Sequence, residues 1–444
     1  MQTKEEEEAM PLITVSNDRR TLFKDGKPHF YLADTCWSAF TNIPDNEWIN
    51  YLKKRKTQGF NALQINILPQ WDRSVNDFQI LPFPEKDGAF DFSQPINEAY
   101  FQRAQRLCEI AQQNDFTLSL VLLWSNYVSG TWASELDEKR NIFPQSLLEN
   151  YFEHVIQYFD QFSPIYVIGG DTDFPAEETI KTYETAFEYF TMHSKNTLKT
   201  IHIRGRLSDI PEEIVEKMDL YFYQSGHNIS FLDMPYRLAE KFYANYPAKP
   251  IINSEPCYEQ MGYSRKVYGR FSQRDVRKAA WQSVLSGAFA GVTYGAHGIW
   301  SWHDSSSVYS GDAGEAFDQP MNWQEALYFP GANDYGYIKQ FLELLDIHQI
   351  LPFNHVLEKG DASIRVGYSA QTETYLVYLP SNTPLTLNVD LSNYQITLID
   401  LKDNRFYKIE PEYVIHYSTG FPTHNAPEDV LLVARKNSDN PVRF

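Results

Sequence analysis

Two carboxylates draw attention by where they fall. Asp171 follows the run Ile165-Tyr-Val-Ile-Gly-Gly170, and Glu255 closes Pro250-Ile-Ile-Asn-Ser. Both runs are short and rich in β-branched residues, so each acid sits at the tip of an expected strand. Gly169 and Gly170 remove side chains beside Asp171, which would let a ligand approach closely, and Pro256 stiffens the backbone after Glu255. Two carboxyls on facing strand tips can divide a displacement between them. One donates a proton to a leaving oxygen, and the other attacks or stabilises the carbon being released, as glycoside hydrolysis requires.

Those acids do not stand alone. The residues expected at the other strand tips are Asp34 and Trp37, Asn66, Trp124 and Asn126, Arg204, then Tyr223, Gln224 and His227, and finally His297 with Trp300 and Trp302 beyond. Semi-buried polar groups need partners, so a ring of them interleaved with aromatics implies a polar, ring-shaped ligand, and a sugar fits. Arg204 would neutralise a pocket holding Asp34, Asp171 and Glu255. Tyr223 would hydrogen-bond Glu255 or pack in the core. His227 and His297 would orient a carboxylate or a hydroxyl, or serve as hydrogen-bonded framework. Trp124, Trp300 and Trp302 would be sugar platforms, core or lid. Cys36 and Cys257 receive no catalytic role, because the sequence places no histidine beside either.

Eight runs supply the tips: 29–34, 61–67, 117–124, 165–169, 198–204, 219–224, 250–255 and 291–297. Most of the intervening segments have room for a helix, so the arithmetic is that of a closed α/β barrel, the (β/α)8 or TIM fold, whose sites lie at the C-terminal strand ends. Helix signals agree. Trp48, Tyr51, Leu52 and Arg55 share one face before Gly59, and Ser272-Gln-Arg-Asp275 has capping-box spacing. After residue 352 alternating runs at 363–368, 374–379, 385–390, 395–401 and 430–434 read as a small antiparallel β-sandwich. The expected organisation is a disordered acidic N-terminus (1–11), a barrel (12–352) and the sandwich (353–444). No aromatic cluster or basic patch stands out on the sandwich runs, so a structural appendage is expected.

Composition narrows the ligand classes. The 444 residues carry 58 Asp+Glu against 39 Lys+Arg, a formal charge of -19 that repels phosphate backbones and anionic lipid. Neither nucleic acid nor a membrane is an expected partner, and no apolar run approaches the roughly 20 residues that span a bilayer. Four consecutive Glu occupy the N-terminus where a secretory leader would carry positive charge, and three cysteines are too few and too scattered for a disulfide framework. A cytoplasmic location follows as the expectation, unless a leader has been trimmed away. No histidine pair has zinc-ligand spacing, and neither a Gly-x-Ser-x-Gly elbow nor a phosphate-binding glycine loop is present. No metal or cofactor is expected.

Six ordered segments carry a resemblance: Leu32-Ala-Asp-Thr-Cys-Trp37, Gln58-Gly-Phe-Asn61, Ile168-Gly-Gly-Asp171, Tyr223-Gln-Ser-Gly-His227, Glu255-Pro-Cys-Tyr-Glu259, and Tyr294-Gly-Ala-His297 with Trp300. Over residues 12 to about 350 the chain resembles the apiosidase-like glycoside hydrolases, a branch of the clan A barrels. The following domain resembles the sandwich that family often carries, sometimes labelled collagen-binding. The resemblance implies a glycosidase with Asp171 as acid/base and Glu255 as nucleophile, hence a retaining mechanism on a carbohydrate. Most clan A barrels place Asn-Glu at the tip of strand 4, whereas this chain, like its family pattern, has Gly170-Asp171, an acid one methylene shorter. The rival is a catalytically silent carbohydrate-binding or scaffold protein on the same barrel. The long segments 69–97 and 124–144 suggest a pocket closed at one end, which favours action on a terminal sugar.

Overall fold

A computed structural model describes residues 12–137, 140–264, 267–309, 318–358 and 360–437; the acidic segment 1–11, expected to be disordered, lies outside the described residues. Eight parallel strands form one sheet: β1 (Tyr31–Thr35), β2 (Ala62–Asn66), β3 (Thr117–Trp124), β4 (Ile165–Gly170), β5 (Lys199–Thr200), β6 (Tyr221–Gln224), β7 (Ile251–Glu255) and β8 (Gly291–Tyr294). Helices α1 (Asp45–Thr57), α2 (Glu98–Gln113), α3 (Leu148–Phe159), α4 (Glu177–His193), α5 (Glu212–Lys217), α6 (Met234–Asn245), α7 (Gln273–Leu285) and α8 (Gly331–Leu344) alternate with them. Pairing runs continuously from β6 through β7, β8 and β1 round to β5. A single parallel bridge, His202 to Phe222, joins β5 to β6 and closes the ring.

The interior alternates with period two, and polar groups inside it pair across strands. Tyr31 Oη meets Ser119 Oγ at 2.8 Å, and Gln64 Nε2 donates to Thr293 Oγ1 at 2.7 Å across the barrel. Outside the strands, α1 buries Trp48, Tyr51, Leu52 and Arg55, the face its spacing predicts, and Gly59 ends the turn at φ +89°. Ser272 and Asp275 make the expected capping box on α7. Strand 5 is shorter than the expected 198–204: only Lys199–Thr200 pairs regularly, and beyond it the backbone bonds alternately to β4 and β6, His202 N donating to the Gly169 carbonyl.

The C-terminal domain is built from β9 (Arg365–Ser369), β10 (Thr374–Leu379), β11 (Leu385–Leu387), β12 (Tyr394–Asp400), β13 (Arg405–Lys408), β14 (Tyr413–Ile415), β15 (Ser418–Phe421) and β16 (Val430–Lys436). Residues 351–352 pair with β9 at the edge of its larger sheet. Alternation divides that sheet between two cores. Val377, Leu379 and Leu432 face the sandwich interior, while Leu376, Tyr378, Leu431 and Val433 join the barrel core. Strands β13 to β15 fall outside the expected runs. Phe406 and Tyr407 on β13, Tyr413 on β14 and, at the turn that follows β14, Tyr417 are exposed aromatics that those runs do not include. β13 and β14 are exposed on both faces and so show no apolar alternation, whereas β15 is buried from Thr419 to Phe421 but too short to mark a run.

A charge cluster joins the domains. Arg277 on α7 pairs with Asp334 at 3.0 Å, with Glu428 at 2.8 Å and with Asp429, which also accepts from Tyr378 Oη at 2.9 Å. Removing the cation leaves Asp429 and Asp334 buried without compensation, which costs about 3–5 kcal/mol. Arg277→Met should lower unfolding free energy by that amount in urea melts, and Arg277→Met with Asp429→Leu should recover part of it. Equal stability of the single variant and the parent would mean that the cluster is solvated.

Candidate active site

Glu255 reaches the barrel mouth because β7 is irregular. Tyr223 pairs with Asn253 but Gln224 pairs with Glu255, so Ser254 is an extra, bulged residue. Asn253 points outward, its Nδ2 donating to Ser283 on α7 at 2.9 Å. Regular alternation would turn Ser254 inward and Glu255 outward; the bulge aims both at one histidine. His202 Nδ1 lies 2.7 Å from Ser254 Oγ, and its Nε2 lies 2.9 Å from Glu255 Oε2. The other carboxylate oxygen, Oε1, is 2.8 Å from His227 Nε2. His227 Nδ1 accepts the Tyr258 backbone N–H at 3.3 Å, which assigns the ring proton to Nε2 and makes it a donor to Glu255. Burial alone would raise the Glu255 pKa, but hydrogen bonds from His202 and His227 hold it down to about 2.

Asp171 is treated in the opposite way. It adopts φ +48°, a left-handed turn at the tip of β4, while its carbonyl accepts Trp132 Nε1 at 2.6 Å. Burial, then the charges of Glu255 and Asp72, push its carboxyl well above the usual range, against the pull of Arg204. The two carboxyls are therefore shifted in opposite directions, Glu255 towards the ionised form and Asp171 towards the protonated one.

An aromatic wall stands beside them. Trp37 and Trp124 lie 5.2 Å apart, Trp124 stacks on His202 at 6.0 Å, and Trp37 Nε1 donates to Tyr258 Oη at 2.9 Å. The glycines make room for this wall. A Cβ on Gly170 would meet Trp124 at 2.2 Å, one on Gly169 would meet Tyr183 at 2.5 Å, and one on Gly295 would meet Tyr258 at 2.0 Å. Gly169 and Gly170 thus admit protein rings rather than a ligand.

Several expected binding residues belong to the framework. Asp34 is fully buried on the outer face of β1, where its Oδ2 accepts from Arg55 Nε at 2.5 Å and Tyr51 Oη at 2.8 Å, so it neither lines the mouth nor needs Arg204. Tyr223 also faces outward and donates to the Pro235 carbonyl at 2.8 Å rather than to Glu255. Both ring nitrogens of His297 are engaged, Nε2 with the Asp318 carbonyl at 2.7 Å and Nδ1 with Trp300 Nε1 at 3.1 Å. That contact occupies the polar edge of Trp300 as well. Trp302 donates to Glu47 at 2.7 Å and stacks on Trp323. Arg204 is bound to Asp173 at 2.8 Å on the rim. Asn66, Asn126, Gln224 and His227 remain at the strand tips with Trp37 and Trp124, all buried. Cys36 and Cys257 are buried free thiols.

Four residues of the site were not anticipated. His202 lies inside the expected fifth strand, two residues before Arg204, and alternation would have found it. Ser254 depended on the bulge. Tyr258 falls within the segment Glu255 to Glu259 that carries the family resemblance, but it was given no role. Asp72 sits in the segment after β2, and burial lifts its carboxyl to about 7, with Glu255 adding to the shift. Among the described residues no group of three or more His, Cys, Asp or Glu is placed to hold a metal ion, and no helix is long and apolar enough to cross a membrane.

A barrel of this kind with two such acids at its mouth defines a glycoside hydrolase, and comparison with known proteins agrees. The family model "Apiosidase-like, catalytic domain" matches residues 16–349, so the chain belongs to the apiosidase-like family and is a glycosidase. Curated proteins give no match. Among solved structures, a glycoside hydrolase family 5 protein from Bacteroides vulgatus shares the fold at TM-score 0.77 and 21% identity, covering 96% of this chain and 93% of that one. A second structure, titled glycoside hydrolase, matches at TM-score 0.76 and 19% identity over 97% of this chain and 98% of its own.

The clamp on Glu255 predicts a pH response. Its lowered pKa stabilises the ionised form, a contribution present above the unfolded-state value and lost as pH falls through about 2. A hydrogen bond to a charged group is worth about 1.5–3 kcal/mol, or roughly one to two pKa units. His202→Ala and His227→Ala should each move the acidic limb of kcat/KM upward by about that much on whichever aryl glycoside the parent cleaves. Unmoved limbs would mean that the histidines do not set the state of Glu255.

Proposed function

We propose that the chain is a retaining exo-glycosidase that removes a terminal sugar from a plant-type or other complex glycan. Asp171 protonates the glycosidic oxygen while Glu255 attacks the anomeric carbon, giving a covalent glycosyl-enzyme and a free leaving group. Asp171, now a carboxylate, then takes a proton from the water that displaces Glu255, so configuration is retained after two inversions. The observation that carries this reading is the divergence of the two acids. Two histidines keep Glu255 ionised at any working pH, as a nucleophile must be, while burial and like charge keep a proton on Asp171, as a general acid must.

Neither alternative acid has the same freedom. Glu259 Oε2 is bound by Tyr294 Oη at 2.6 Å and Gly331 N at 2.8 Å, and Asp173 is held by Arg204 and the Trp132 backbone N–H. Action on a terminal residue is favoured by the walls around the mouth. Phe83, Phe90 and Phe92 interlock with Tyr127 and Phe143, and residues 74–75 pair with 308–309. These contacts join the segments after β2, β3 and β8 into one continuous rim.

Proton donation matters only where the leaving group is poor, and is then worth roughly 10² to 10⁴ in rate. Asp171→Ala should slow glycosides with alkoxide or sugar leaving groups by that factor and spare activated aryl glycosides in the first step. Azide should rescue it and yield a glycosyl azide of retained configuration. Glu255→Ala should abolish turnover of both, and EDTA should leave the parent rate unchanged. An azide product of inverted configuration from Glu255→Ala alone is compatible with this scheme, whereas equal loss on both substrate types in Asp171→Ala without azide rescue defeats it.

A further inference from the structure

Asp72 is a third carboxyl beside the two acids, and nothing in the reaction above uses it. Its segment is held rigidly from both sides. Gln70 takes the Asn66 Nδ2 proton at 2.6 Å, Arg73 donates to the Gln70 carbonyl at 3.1 Å and pairs with Glu85 at 3.5 Å, and the Ser74 carbonyl accepts Asn42 Nδ2 at 2.8 Å. Ser74 Oγ in turn meets His303 Nδ1 at 2.9 Å. Between these anchors Trp71 and Asp72 keep unsatisfied polar atoms: Trp71 Nε1 and Asp72 Oδ1 are buried without a hydrogen-bond partner. No ion pair to Asp72 occurs among the described residues, since the adjacent guanidinium is turned to Gln70 and Glu85. Gln70 is bonded to Asn66 at the tip of β2, and Trp71 packs edge-on against Trp132, which bonds the Asp171 carbonyl, so the segment carrying Asp72 lies at the same mouth.

A buried carboxylate oxygen with no donor is costly, on the order of 1–3 kcal/mol even for a neutral group and more for a charge. Three further acceptors share its condition. Asn66 Oδ1, Asn126 Oδ1 and Gln224 Oε1, at the tips of β2, β3 and β6, are also unpartnered, and each residue is at most 6% exposed. The mouth thus offers four unpartnered acceptors, beside two unpartnered donors on the same segment, Trp71 Nε1 and Arg73 Nε. The hydroxyls of a sugar supply donors, and an adjacent pair can bond one carboxylate. A uronic acid would instead bring a negative charge to Asp72 and Glu255, and the guanidinium at the rim, Arg204, is already held by Asp173.

We propose that Asp72 is a specificity-determining residue that accepts hydrogen bonds from hydroxyls of a neutral terminal sugar bound next to Glu255. The assignment rests on the glycosidase reading above for the identity of the ligand, but its test reads binding rather than turnover. The full-length Glu255→Gln variant, with and without Asp72→Asn, is titrated with a panel of neutral aldopentoses and aldohexoses and with glucuronic and galacturonic acids. Saturation-transfer NMR and calorimetry give affinities, and thermal midpoints check that both proteins are folded. At a pH of about 8.5, where a carboxyl lifted to about 7 is ionised, at least one neutral sugar should bind, and Asp72→Asn should weaken it by roughly ten- to a hundred-fold, the worth of a hydrogen bond to a charged acceptor. A monodeoxy analogue of that sugar lacking the contacted hydroxyl should lose a similar factor in the protein that keeps Asp72 and little in the Asp72→Asn protein. Binding of no neutral sugar, equal affinity in the two proteins, or tighter binding of a uronic acid than of its neutral parent overturns the proposal. Turnover that depends on Glu255 but not on Asp72 would overturn this inference alone. Asp72-dependent binding without turnover would instead overturn the catalytic reading.

Discussion

The double hydrogen bond from His202 and His227 to the Glu255 carboxylate is the contact on which the rest of the site depends. It joins three strands at their tips, because His202 follows β5, His227 follows β6 and Glu255 ends β7. The bridge that closes the barrel, His202 to Phe222, lies at the same residue. Closure of the ring and the hydrogen bonding of Glu255 therefore depend on the same residue, His202. If β5 and β6 moved apart, the barrel would gain an edge and Glu255 would lose one of the two donors that keep it charged.

Keeping the second acid protonated requires the reverse environment at the same mouth, and the wall of rings provides it. Trp37, Trp124 and Tyr258, all buried, line the mouth with aromatic surface, and the lower local dielectric strengthens charge interactions there. In that medium the Glu255 charge adds to burial in raising Asp171, so the ionisation of one acid helps to keep the proton on the other. Three glycines permit it, since a methyl group at Gly169, Gly170 or Gly295 would displace Tyr183, Trp124 or Tyr258. Small residues at strand tips can act by what they let in from the protein side.

Much of this was legible in the sequence. All eight strands fall within the expected runs or within a residue of them, because a buried parallel strand declares itself by a short apolar run between turn residues. Asp171 and Glu255 stand at strand tips as expected. What stayed hidden followed from features with no local signature. A bulge at Ser254 cannot be inferred from Asn-Ser-Glu, and Asp72 lies on a connecting segment whose path depends on contacts with Asn42 and His303, distant in sequence.

The remaining differences share one cause, the two-residue period of a strand. Tyr31 meets Ser119 inside the barrel, so odd positions of β1 face inward and Asp34 faces the helices, where Arg55 and Tyr51 receive it. On β6, Phe222 packs against Tyr31 inside, so Tyr223 must lie outside against Phe242. A polar residue near a strand tip thus has two fates separated by a single position. On the inner face a polar atom can stay unpartnered, as do Asn66 Oδ1 and Gln224 Oε1. On the outer face helices satisfy it, and Asp34 becomes part of a buried ion pair whose loss would cost several kcal/mol without touching the chemistry. Residue type reports only that a charge must be matched; the phase of the strand decides whether protein or substrate does the matching.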